Sequence, residues 1–224
     1  LHLYADVVAR LDSLVLDLKS IFSVDSVLLG TGPSDLERSG FTHSQGKITV
    51  QLPEGPVSGG EITAVIYYHG VPKESEHPPW DDGFVWKRGP NGYPWIGVCC
   101  ETEGADVWSP CKDHPSDEPD SVSLHFTVPN PLQCISNGRL RGSEDNGDGT
   151  STFDWFVSTP INNYNVTLYI ADYMVIEDQY SSISGPSIPF RFWVTPDKYQ
   201  AALDHLPVFR AQFDFLESVC GPYP

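Results

Sequence analysis

Lys47-Ile48-Thr49-Val50-Gln51-Leu52 alternates polar and apolar side chains without a break. A period of two is that of a β-strand with one face buried and the other in water. The same grain recurs from Ser13 to Leu18, Val24 to Leu29, Glu61 to Tyr68, Val122 to Val128, Thr152 to Val157 and Val166 to Tyr173, with Gly, Pro, Asp and Asn clusters between the runs. No helical pattern separates these runs, so a parallel sheet with crossover helices is disfavoured. The reading is an all-β chain of mainly antiparallel sheets. Asp145-Asn146-Gly147-Asp148-Gly149 is read as a tight hairpin, because glycine accepts the positive φ such turns need. A calcium loop is rejected there, since Trp155 stands where the twelfth-position carboxylate is required.

The period changes after Val194. Thr195 and Pro196 suit a helix start, and Leu203 and Leu206 follow at helical spacing before Pro207, where a short helix is expected to stop. Phe209, Phe213, Leu216 and Cys220 then form the stripe of a second helix that ends at Gly221-Pro222. The expected organisation is a β domain over residues 1–194 and a helical junction over 195–224, with one or two carboxy-terminal helices. The stretch from Gly70 to Gly92, rich in Pro, Gly, Asp and Trp, reads as a long irregular excursion.

The chain has 224 residues, 40% of them apolar, enough for a substantial core. Thirty acidic against thirteen basic residues give a net charge of -17, which repels phosphate backbones and makes nucleic acid a poor partner. Five cysteines form no CxxC pair and no metal-ligand quartet, and most are expected to be buried free thiols. No apolar run approaches a transmembrane segment. The compartment is unassigned, with a periplasmic or secreted setting favoured over the cytoplasm.

Catalytic residues are not found. A zinc peptidase needs two histidines one helical turn apart with a glutamate between them, and none of the seven histidines has a second at i+3 or i+4. No Gly-x-Ser-x-Gly nucleophile turn occurs. No metal ligands are assigned. The distinctive segment is Cys100-Glu101-Thr102-Glu103-Gly104 followed by Trp108-Ser109-Pro110-Cys111-Lys112-Asp113-His114-Pro115. Most of its acidic residues are expected to be solvated, and Asp113 to stabilise the turn by accepting backbone amides. Glu101 differs, because the apolar run Trp95-Ile96-Gly97-Val98-Cys99-Cys100 delivers its carboxylate to the end of a buried strand.

Those motifs resemble the amino-terminal domain of the zinc aminopeptidases related to aminopeptidase N and leukotriene hydrolase, in a bacterial branch. Pro129 to Gly138 looks like that family's strand and turn ending in Ser-Asn-Gly. Phe215 to Pro224 looks like its helix and Gly-x-Tyr-Pro junction. The resemblance implies a saddle-like β-sandwich, with Glu101 as the substrate-binding residue for the free α-amine of a peptide. It further implies that zinc and the His-Glu-x-x-His helix lie in a catalytic domain in cis, beyond Pro224, so that this chain alone is inactive. Two other readings compete: a stand-alone β-sandwich binding carbohydrate or protein through the Trp80 to Trp95 loop, and a domain of a degenerate, non-catalytic peptidase homologue.

Overall fold

The computed structural model describes residues 1–185 and 187–223. Among them the strands are β1 (His2–Asp6), β2 (Ser13–Asp17), β3 (Ser23–Gly30), β4 (Glu37–Ser39), β5 (Phe41–Ser44), β6 (Lys47–Gln51), β7 (Glu61–His69), β8 (Gly83–Arg88), β9 (Pro94–Cys99), β10 (Val122–Pro129), β11 (Gln133–Ser136), β12 (Arg139–Asp145), β13 (Thr150–Val157), β14 (Leu168–Ala171), β15 (Met174–Ser181) and β16 (Ser187–Val194). One helix, α1 (Tyr199–Cys220), follows. Every strand-to-strand pairing is antiparallel. The all-β class with a carboxy-terminal helix is therefore borne out.

The chain builds two sandwiches in sequence. In the first, the sheet β1-β7-β3-β4 packs on the sheet β2-β6-β5. Alternation decides which side chains meet: Leu14, Leu16, Ile48 and Val50 from one sheet join Val27, Leu29, Ile62, Ala64 and Ile66 from the other in a single core. Ile48 is completely buried, and truncating it to alanine costs about 2–5 kcal/mol by the usual cavity scale. In the second sandwich, the sheet β11-β14-β9-β8 carries Phe84, Val98, Cys134 and Leu168 into a core with Val128, Leu132, Phe126 and Phe153, on the side of β10-β13-β12. The expected hairpin joins β12 to β13, with Gly147 and Gly149 at positive φ.

The segment after β9 ties the two sandwiches together. Asp17 and Cys111 exchange backbone hydrogen bonds at 2.6 and 3.0 Å, Lys19 N donates to Asp106 O at 3.0 Å, and Tyr68 Oη donates to Trp108 O at 2.9 Å.

Two expectations fail here. Pro207 does not end a helix; it lies inside α1. Its missing N–H leaves one carbonyl four residues back unpaired, a cost of about 3 kcal/mol or more. Aromatic anchoring downstream offsets it: Phe209 meets Phe192 at a centroid distance of 4.7 Å, and Phe213 meets Phe190 at 5.0 Å and Tyr180 at 5.3 Å. Arg210 adds an ion pair with Asp178. The strand expected from Val166 starts only at Leu168, because Asn163–Asn165 form a 3-10 turn. The junction motif reaches Pro224, which lies outside the described residues.

Glu217 fixes the end of α1. Its carboxylate, 3% exposed, accepts hydrogen bonds from Ser182 Oγ (2.6 Å), Tyr180 Oη (2.9 Å), Ile183 N (2.8 Å) and Tyr223 N (2.8 Å). Those donors outweigh desolvation and hold it down at about 2.

Candidate functional site

Strand β9 ends at Cys99, and the chain turns over residues 101–103 before a 3-10 turn at Ala105–Val107. Cys100 is buried, with its thiol donating to Tyr164 O at 3.0 Å. Beyond it the backbone amides of Thr102, Glu103 and Gly104 all converge on one carboxylate, that of Asp82. Thr102 Oγ1 donates to it as well, at 3.0 Å. Asp82 is 1% exposed, so a buried anion is stabilised by four donors rather than by a counter-ion.

Asp82 immediately precedes β8, and its neighbour Asp81 holds a second turn. Asp81 accepts from Ser75 Oγ (2.7 Å), Glu76 N (2.6 Å) and His77 N (2.6 Å). Consecutive side chains thus clamp the 75–77 segment and the 102–104 turn. Gly83 makes this possible: a Cβ there would lie 2.6 Å from Lys73 O and 2.9 Å from Ser75 N.

Glu101 is exposed at the outer corner of the clamped turn, and its carboxylate enters none of the ion pairs among the described residues. Glu118 and Asp120 are exposed as expected, whereas other acidic neighbours are engaged. Glu103 pairs with Lys73 and lies 3.6 Å from Lys19, and Asp117 lies 3.3 Å from Lys112. Asp106 is buried 3.3 Å from Lys19 Nζ, in a geometry that leaves its Oδ1 without an aligned hydrogen bond. Burial raises the Asp106 carboxyl above its usual range, against the pull of Lys19. Asp113 is raised too, by desolvation and then by Asp17, while the Ala105 amide works the other way. The carboxylate lies so close to Gly104 that a Cβ on that glycine would come within 2.0 Å of Oδ1.

Among the described residues no catalytic group is assembled. Cys100, next to Asp82, has its thiol pushed up to about 12 by burial, and burial likewise raises Cys111. Neither is poised as a thiolate. All five cysteines are free, with Cys100 and Cys134 buried and Cys220 exposed. Among the described residues no group of three or more His, Cys, Asp and Glu side chains is placed to hold a metal ion. Among the described residues no helix is long and apolar enough to cross a membrane. The tryptophans of the Trp80 to Trp95 stretch share no common face. Trp86 stacks on Phe84 at 5.6 Å, Trp95 sits across β9 against Tyr169 at 6.4 Å, and the register sets Trp86 opposite Ile96 and Trp95 opposite Lys87. Trp80 alone of the three is largely exposed, at 83%.

Asp82 escapes sequence reasoning because its partners are some twenty residues away. The only local signal is Asp81-Asp82-Gly83, which reads as an ordinary turn.

No protein-family model matches the sequence, and no curated protein is similar to it. Solved structures are. A mutant M1 zinc metallopeptidase from Deinococcus radiodurans bound to a Tyr-Ser-Ala substrate matches with a TM-score of 0.74 and 20% identity, over 100% of this chain and 49% of that one. The chain has the fold of one half of an M1 zinc metallopeptidase. Another structure of the Deinococcus radiodurans M1 zinc metallopeptidase matches with a TM-score of 0.69 and 21% identity, over 85% of this chain and 41% of that one. Legionella pneumophila aminopeptidase A in complex with aspartic acid matches with a TM-score of 0.68 and 16% identity, over 92% and 23%. This chain spans half or less of these M1 chains, and the resemblance carried by Cys100 to Pro115 holds at the level of the fold.

Proposed function

We propose that this chain is the substrate-recognition half of a zinc aminopeptidase, and that Glu101 receives the α-amine of the peptide. The observation that carries the reading is the exposed, unpaired Glu101 carboxylate on a turn whose three following amides are fixed by buried Asp82. A carboxylate on a turn whose backbone is already fixed, and which no counter-ion neutralises, gives up less on capturing a cation than one on a mobile loop. A peptide amine with a pKa of about 8 is largely protonated at neutral pH, and its bond to a carboxylate is roughly twice as strong as a neutral hydrogen bond. An acceptor at one end of the cleft restricts hydrolysis to the first residue.

Zinc belongs to the catalytic half in cis, where it would activate water and polarise the scissile carbonyl. The residues of this chain bind and orient the substrate. Support for such a partner comes from α1, whose outer side leaves Val208, Phe215, Leu216 and Val219 exposed while Phe209 and Phe213 face the β15–β16 hairpin.

In the complete enzyme, Glu101→Ala is expected to weaken apparent substrate binding by about 1–3 kcal/mol, and wild type is expected to reject N-acetylated peptides. Equal turnover of blocked and free peptides would remove Glu101 from this role. Cleavage of amino-acid anilides by this chain alone, with zinc added, would end the division of labour.

A further inference from the structure

The outer face of the sheet β10-β13-β12 holds a second candidate site, remote in sequence from Glu101. The inner face of this sheet buries Val128, Trp155 and Val157, so alternation sends Ser123, His125, Asp154 and Phe156 outward. Ser123 stands opposite Phe156 and His125 opposite Asp154. On the other side of β13 the register breaks: Leu140 pairs with Trp155 and Gly142 with Asp154, which makes Arg141 the extra residue of a β-bulge.

The bulge changes what each charged group can reach. In an unbroken ladder Arg141 would oppose Asp154. Instead Gly142 occupies that position, and a Cβ added to it would meet nothing within 4 Å. Asp154 is engaged by His125, Nδ1 to Oδ1 at 2.6 Å. Arg141 is left with its guanidinium carbon 4.7 Å from the centroid of the Phe156 ring. Arg10, Arg191 and Arg210 have carboxylate partners, whereas Arg141 enters no ion pair or hydrogen bond among the described residues. Stacking occupies the face of a guanidinium and leaves its in-plane N–H groups free. Ser123, His125, Arg141, Asp154, Trp155 and Phe156 line a shallow, open concavity of about 350 Å³.

We propose that this concavity binds an organic carboxylate. The free edge of the Arg141 guanidinium receives the carboxylate in a bidentate pair, the Ser123 hydroxyl supplies a further donor, and the apolar body of the ligand lies against Phe156 in the space left by Gly142. The net charge of the chain does not prevent this, since distant charges are screened within about 8 Å at physiological salt, and the Asp154 carboxylate is turned to its hydrogen bond with His125. The planar fork of Arg141 takes both carboxylate oxygens in one bidentate pair, and the Phe156 face favours an anion that carries an apolar body over bare phosphate.

The test uses this chain and three probes: 3-phenylpropionate, its amide 3-phenylpropanamide, and inorganic phosphate, each titrated into ¹⁵N-labelled protein. Saturable shifts centred on Ser123, Arg141 and Phe156 are expected with the carboxylate. Arg141→Ala is expected to weaken its binding about tenfold or more, and Arg141→Lys, which keeps the charge without the fork, to weaken it as well. Arg141→Lys carries the test if the alanine variant does not fold. Equal affinity for the amide or for phosphate would overturn the proposal, as would shifts confined to another surface or undiminished binding by folded variants of Arg141.

Discussion

Thr102 is held twice by the carboxylate of Asp82, through its backbone amide at 3.1 Å and its hydroxyl at 3.0 Å. The nineteen residues between them include the whole β8–β9 hairpin, so the Glu101 turn is a tertiary construction and not a local one. Asp82→Ala would leave the amides of Thr102, Glu103 and Gly104 without their acceptor in a largely water-excluded site. A loss of about 3 kcal/mol or more is expected, measured as a lower urea midpoint at unchanged slope.

Glu101→Ala should behave oppositely. An exposed side chain with no partner contributes within about 0.5 kcal/mol of nothing to folding. An unfolding midpoint equal to wild type, together with weakened substrate binding in the complete enzyme, would separate recognition from stability.

Gly104 has φ at 97°, and an added Cβ would meet Asp113 Oδ1 at 2.0 Å and Oδ2 at 2.2 Å. Gly104→Ala therefore carries two penalties, a backbone one of about 1–2 kcal/mol and a steric one. Asp113→Ala in the same chain removes only the second. The double variant is expected to be more stable than the sum of the two single effects, as a thermodynamic cycle would read out.

Glu217 sets an acid limit. Its folded pKa, about 2, lies below the ordinary 4.5, so the unfolded chain takes up its proton first. The stabilisation is complete above about 4.5 and is lost as pH falls towards 2. Glu217→Gln should flatten this part of the acid unfolding curve, followed by the near-ultraviolet signal of the aromatic cluster around Tyr180.

Thiol chemistry gives a simple check on packing. Cys220 is exposed, whereas Cys99, Cys100, Cys111 and Cys134 have thiols raised by burial. One fast-reacting cysteine per folded chain is expected with a maleimide, and all five after denaturation.

The sheets were legible wherever one face meets water. Ile48, Val50, Leu14 and Leu16 are placed by alternation alone. Strand β8 was hidden because Gly83, Phe84 and Val85 are buried in succession, which erases the period of two, and because it is embedded among Pro, Asp and Trp residues. Pro207 misled because local backbone cost is visible in a sequence while the Phe190 and Phe192 surface that outweighs it is not. Glu101 was singled out by its place at the end of an apolar run, but the Asp82 beneath it was not, since only folding brings residues 82 and 102 together.

Asp81 and Asp82 are joined by a single peptide unit, yet each grips a different loop. Two loops some twenty-five residues apart in sequence are therefore anchored to one dipeptide.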